Sequence, residues 1–293
     1  MWVFFAVLTV LFWGTSDVMF KNVSDRGEAD ELILIAMNGT VYGVACLVYW
    51  VLTGTVFSFA SLVKYIPIAA IYIGSMLFYY KMLPHIKISL ASPIANSSCV
   101  VTTMLCVLVL GQSVSPLQAG AIALIVLSII ILSLDREPQQ PAGLTARDYA
   151  VGIGCALIYF VLDGVGSFMD DNILDATLTA EDVIIAYGLC YLLVGVIAMF
   201  AAARKSAAAG RKLDFSFALR PRTLLGCLVE TAGQFTYVYC YAAGDAALAS
   251  PFIASFSAVS ILLSRIFLKE KLTAKQAILV LAMLAGMFIL AIE

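Results

Sequence analysis

The chain is 293 residues long, 62% hydrophobic and only 12% charged, with a formal net charge of −2 and a single histidine. A soluble domain usually carries about 25% charged residues and roughly half apolar ones, and it must cover itself with polar surface. The composition therefore excludes a soluble globular protein and requires lipid as the solvent.

About 20 apolar residues cross the roughly 30 Å hydrocarbon core as a helix. Only helices and closed barrels satisfy the backbone there, and runs of this length without period-2 alternation specify helices. Ten spans are expected, near residues 1–20, 31–53, 62–83, 87–110, 115–134, 149–169, 181–203, 222–243, 246–267 and 272–292. The first has neither a basic leading stretch nor a small-residue cleavage site, so it reads as a retained helix. It holds Trp13-Gly14, then Asp17 four residues before Lys21, a pair that neutralises itself at the interface. Span two carries Asn38 and the GxxxG pair Gly39 and Gly43, which reads as close helix packing. Span three carries Tyr72, and His85 follows it beside Pro84 as a solvated link residue.

Span four opens on Leu90-Ala91-Ser92-Pro93 and sets Ser92, Asn96, Cys99 and Thr103 on one face, at steps of four, three and four. In span six Asp163 has Tyr159 one turn before it, and both a buried and an interfacial role stay open. The "MDDNILD" stretch that follows, with Asp170, Asp171 and Asp175, reads as a solvated acidic loop. Span eight contains Glu230 near mid-depth, with Gln234, Tyr237 and Tyr241 on the same face. An ionisable group at that depth is a functional-site hypothesis: Glu230 binds a substrate cation or carries a coupling proton, against a purely structural carboxyl. Lys81 and Arg265 lie towards helix ends, where long side chains reach the interface, and no Lys or Arg falls at mid-depth. Seven cysteines lie within the spans without metal-ligand spacing and read as small packing residues. No metal or cofactor is expected.

The tetrapeptide Leu90–Pro93 returns as Leu248–Pro251. A shift of 158 aligns 90–135 with 248–293 without a gap, at 12 identities in 46 positions, and pairs Gln118-Ala119 with Gln276-Ala277. The same shift sets Tyr79 opposite Tyr237 and Tyr72 opposite Glu230, while an offset of 146 pairs Asp17 with Asp163. The expected architecture is all-α, ten transmembrane helices built as two five-helix repeats, 1–135 and 149–293, joined by a linker at 136–148. Five is odd, so the second copy enters the bilayer from the opposite side, as in secondary transporters whose sites lie near the midplane.

Trp13-Gly14, the two "LASP" openings and "LKEKLTAKQ", with Glu270, Leu272, Thr273 and Gln276, resemble the drug/metabolite transporter superfamily in its ten-helix, EamA-type form. The first-half counterpart "LGQSVSPLQ" keeps Gly111 and Gln118 but has Gln112 where the family usually has glutamate. The resemblance covers nearly the whole chain and implies alternating access between two halves, without naming a substrate.

Of the 17 Lys and Arg residues only Lys64 falls in a link after an even-numbered helix. The positive-inside bias therefore places the odd links in the cytoplasm and both termini outside, whereas the family pattern implies termini inside. Taken together, these readings predict a secondary transporter in the cell membrane. Its substrate would be a small polar metabolite that is neutral, zwitterionic or amine-bearing. Candidate substrate-binding residues are Glu230, Gln234, Tyr237, Tyr241, Asp163, Tyr159, Asn96, Tyr72 and Trp13. The expected partners are that substrate and the lipid bilayer, with no nucleic acid, and a homodimer is compatible with them. A non-transporting scaffold or receptor, and a membrane-embedded enzyme, are the alternatives.

Overall fold

The computed structural model describes residues 1–24, 30–86, 95–133, 145–210, 212–216, 218–269 and 273–292. Among them the chain is helical and contains no strand. In chain order the helices are α1 (Trp2–Ser24), α2 (Glu31–Thr53), α3 (Phe59–Met82), α4 (Cys99–Leu105, continued as a π turn over Cys106–Leu110) and α5 (Pro116–Ser133). The second half supplies α6 (Ala146–Ala176), α7 (Ala180–Ala208), α8 (Pro221–Tyr241), a broken helix α9a (Ala246–Ala254) and α9b (Phe256–Phe267), and α10 (Ala274–Ile292).

Seven of these, counting α9a and α9b as one span, are long and apolar enough to cross a membrane, and α4 and α5 are shorter apolar helices. The helix α8 falls outside both groups because its polar face lowers its hydropathy. Their outer faces are apolar: Phe4 is 63% exposed, Phe200 68% and Phe288 66%. Buried residues are mixed, with tyrosines, serines and acids among aliphatic side chains. This is the arrangement a hydrocarbon solvent selects, with polar groups turned inward to find partners.

The layers pair across the two halves, α1 on α8, α3 on α6, α2 on α7 and α5 on α10. The α2–α7 contact is close where Gly39 and Gly43 stand. A Cβ built on Gly39 would lie 2.5 Å from the Tyr191 carbonyl oxygen, and one on Gly43 would lie 2.7 Å from Leu192 Cβ. The GxxxG pair thus packs a helix, as its spacing suggests.

A second correspondence joins helix pairs. Gly14 of α1 faces Val259 and the Phe256 carbonyl of α9b, and Gly164 of α6 faces Val101 of α4 and the Ser98 carbonyl just before it. Ser260 Oγ donates to Gly14 O at 3.4 Å, and Thr102 Oγ1 donates to Gly164 O at 3.1 Å. Positions 98, 101 and 102 become 256, 259 and 260 on adding 158, while Gly14 becomes Gly164 on adding 150. The contacts therefore pair Asp17 with Ser167, and Trp13 with Asp163, correcting the 146 offset read from the sequence. Two aspartates four residues out of register gave that shorter offset.

Other boundaries also move. The helix α6 runs through Ala176, so Asp170 and Asp171 lie in a helix with 0% and 1% exposure rather than in a solvated loop. Asp17 and Lys21 are buried as well, at 4% and 1%, not spread at an interface. His85 is half-buried against Gly152 rather than solvated. All seven cysteines are free. The first "LASP", Asp135, Glu270, Leu272 and Glu293 lie outside the described residues.

In the second "LASP", Pro251 sits inside α9a. Its ring nitrogen has no hydrogen to give the carbonyl four residues back. That carbonyl, of Ala247, accepts instead from Thr103 Oγ1 of α4 at 3.3 Å. The helix then breaks at Ser255, where Ser255 N reaches Phe252 O and Ala258 N reaches Ser255 O, both three residues back.

Candidate functional site

The helix α8 carries a one-sided stripe. Gln234, Tyr237 and Tyr241 are 7%, 2% and 2% exposed, whereas Leu225 and Leu228 on its other side are 47% and 55% exposed. Glu230 heads the stripe, and Ser16 of α1 donates its hydroxyl to Glu230 Oε2. Gly233 makes the approach of α1 possible, because Trp13 lies directly over its Cα. The Trp13 ring stacks on Tyr237 with centroids 5.3 Å apart.

Tyrosines bind the layers together. Tyr72 of α3 and Tyr237 of α8 share a hydrogen bond of 2.5 Å, and Tyr72 also meets Ser167 Oγ of α6 at 2.7 Å. Tyr79 donates to Asp17 Oδ1, while Ser260 donates to Asp17 Oδ2 at 2.7 Å. Ser98 donates to Asp163 Oδ2 at 2.7 Å. Asn38 Nδ2 donates to Tyr80 Oη at 2.8 Å and to Tyr191 Oη at 3.2 Å.

Two adjoining cavities lie among these groups. The first, about 40 Å³, is lined by Trp13, Tyr72, Tyr159, Asp163, Glu230 and Gln234 together with Asp17 and Asn38. The second, about 30 Å³, adds Asn96, Tyr237 and Tyr241 and shares Trp13, Tyr159 and Asp163 with the first. All nine residues selected from the sequence thus meet in one region between the halves. A cavity needs about 10–15 Å³ of such volume per water, so this form has room for a few waters and no metabolite.

Sequence reasoning missed several members. Asp17 lines the first cavity, as do Tyr42, Tyr187 and Tyr191 from α2 and α7. The buried Asp170 and Asp171 were also misplaced. Tyr65 donates to Asp170 Oδ1 at 2.6 Å, and Asp171 accepts from Gln112 Nε2 at 2.5 Å and from Ala246 N at 3.2 Å. The available signal was the run Phe168-Met169 before the acids and Ile173-Leu174 after them, which continues the helical period. Among the described residues no group of His, Cys, Asp and Glu is placed to hold a metal ion.

The fold and this inward-facing polar cavity define a multi-pass helical membrane protein. The model of the EamA-like transporter family matches residues 1–134 and 176–292, and the chain belongs to that family. It is a membrane transporter of the drug/metabolite type. A protein of known crystal structure shares its fold at a TM-score of 0.71 and 16% identity, over 99% of this chain and 96% of that one. No curated protein matches the sequence.

Proposed function

We propose that the chain is a secondary transporter of the cell membrane that moves a small polar metabolite by alternating access, with Glu230 binding the substrate or carrying a coupling proton. Its units would be two inverted five-helix repeats, 1–135 and 149–293. Two separate family matches, the second beginning at residue 176 after α6, support a division into two units, and the paired contacts of Gly14 and Gly164 support placing α6 in the second. The observation that carries the reading is the cavity itself. Three carboxylates from α1, α6 and α8 converge on it between the halves, where substrate sites of repeat-built transporters lie.

The two faces of the protein carry different fastenings. On one, Asp171 of α6 holds Gln112 and the start of α9a. On the other, Lys21 Nζ of α1 donates to Leu83 O at 2.7 Å and to Ile86 O at 2.9 Å, just past α3. Lys21 and Asp171 correspond under the 150 shift. Releasing one set while keeping the other is what alternating access needs.

The test is uptake into liposomes by the purified protein across a broad metabolite panel. Saturable flux that disappears in Glu230→Gln supports the proposal. Normal flux in that variant removes Glu230 from the mechanism, and absence of flux across the panel favours a scaffold or receptor.

A further inference from the structure

The first of the two polar cavities is lopsided in charge. Asp17, Asp163 and Glu230 line it, and among the described residues no Lys, Arg or His lines it or its neighbour. Each carboxylate is gripped by hydroxyls from other helices: Asp17 by Tyr79 and Ser260, Glu230 by Ser16, and Asp163 by Ser98, which lies just before α4. Hydroxyls fix the direction of these groups but bring no positive charge to the cavity wall. Glu230 Oε2 takes the Ser16 hydroxyl.

A second observation points to a ligand. Gln234 Nε2, Asn38 Oδ1 and Tyr42 Oη are buried without a hydrogen-bond partner, and all three residues line this same cavity. Their residues are 7%, 2% and 2% exposed. Buried polar atoms are normally satisfied; Asn38 Oδ1 and Tyr42 Oη can accept from an ammonium as they stand, and the Gln234 amide does so when its oxygen is turned to the cavity. The remaining wall is aromatic, with Tyr79 and Tyr159 rings 5.4 Å apart and Trp13 edge-on to Phe256 at 5.7 Å. Such faces pack an alkyl chain and attract a cation.

Resting on the transport reading, we propose that this cavity, widened in an open form of the alternating-access cycle, takes an aliphatic amine cation that carries no carboxylate, with a short diamine as the prototype. Its ammonium donors face Glu230 and the two aspartates, and its methylenes lie along the tyrosine and tryptophan rings. An amino acid of the same chain length would set its own carboxylate beside three of like sign with no cation to answer it. That is a desolvated, repelled charge, the kind of element by which sites reject a near-identical ligand.

The experiment measures binding by calorimetry to the purified full chain, using 1,4-diaminobutane and 1,5-diaminopentane against ornithine and lysine. These pairs differ by the carboxylate alone. Diamines are expected to bind, and ornithine and lysine to bind about tenfold more weakly or worse, as an unpaired charge requires. Glu230→Gln and Asp163→Asn should each weaken diamine binding, so the test survives if one of them fails to fold. Equal or tighter binding of the amino acids, or no diamine binding, overturns the proposal. Liposome flux separates the two levels. Flux of a neutral or anionic solute without diamine binding overturns this inference and leaves transport standing. Diamine binding without flux of any solute leaves the site and overturns transport.

Discussion

Gln112 and Asp171 lie 59 residues apart in the chain, yet Gln112 Nε2 donates to Asp171 Oδ2 at 2.5 Å. The same two side chains cap the start of α9a. Ala246 N donates to Asp171 Oδ1 at 3.2 Å, and Ala247 N donates to Gln112 Oε1 at 2.9 Å. The first N–H groups of any helix have no partner within it, and here both partners come from elsewhere, one from α6 and one from the first half. Closing one face and starting α9a are thus a single structural event.

Asp171→Ala should therefore lower thermal stability while opening that face. Each buried donor left without its acceptor costs about 1–3 kcal/mol, and the variant strands the Gln112 amide and the Ala246 N–H. A thermal melt in detergent reads the loss. Labelling of a cysteine placed at Ser250, which lines the second cavity, should also become faster with an impermeant thiol reagent. Unchanged melting and unchanged labelling together would show that the latch holds nothing.

Tyr72→Phe removes one hydroxyl that joins three helices, to Tyr237 at 2.5 Å and to Ser167 at 2.7 Å. Tyr72 is 5% exposed, so bulk water does not replace the lost partners. The expected cost is about 1–3 kcal/mol, with uptake reduced more than stability because Tyr72 also lines the cavity proposed to take substrate. Ser167→Ala is the control, since it breaks one of the two bonds and leaves the ring in place. Equal uptake in wild type and Tyr72→Phe would assign this phenol to packing.

How much of this was visible in the sequence depends on the kind of information each feature carries. The helices follow from apolar run length, and the α8 stripe from helical spacing, because both are local. Glu230 stands out because a carboxylate inside an apolar run is costly wherever the helix ends up. Asp171 was hidden for the opposite reason. Polar residues near a span boundary usually mean water, and only the arrival of Gln112 and the α9a terminus makes a helical, buried position affordable. The Asp17–Asp163 pairing failed in a related way. Residue identity suggested one offset, whereas the small residues that let helices touch, Gly14 and Gly164, obey another. Tyr42, Tyr187 and Tyr191 carry no such mark, because nothing local distinguishes a tyrosine that lines a cavity from one that fills space.

Orientation gives a prediction about charge. Lys205 at the end of α7 pairs with Asp30 at 2.8 Å and with Glu31 at 3.3 Å, at the start of α2. His85 after α3 lies against Gly152 near the start of α6. The end of α7 and the start of α2 thus share one face with the end of α3 and the start of α6, and 12 of the 17 Lys and Arg lie in or flank the links after α1, α3, α5 and α7. By the positive-inside bias we propose that this face is cytoplasmic and that both termini are outside. A reporter active only outside the cytoplasm, fused after Glu293, should give signal. Fluorescence from a cytoplasm-only reporter at the same place would reverse the assignment and side with the pattern of the family.

The packing of α2 on α7 supplies a prediction that does not depend on transport. At Gly39 a Cβ would stand 2.5 Å from the Tyr191 carbonyl oxygen and 2.9 Å from its ring. The nearest obstacle is backbone, which cannot rotate aside, and Tyr191 is itself 2% exposed and bonded to Asn38. Gly39→Ala must push the helices apart, at a cost of about 1–3 kcal/mol for overpacking. Gly39→Leu should cost more and impair folding. Gly74 of α3 is the matched control, because a Cβ there meets no atom within 4 Å. Alanine at Gly74 should leave the melting temperature equal or slightly higher, since Ala is favoured over Gly in a helix by about 1 kcal/mol. Equal melting of the two alanine variants would mean that the close approach of α2 to α7 does not exist in the membrane protein.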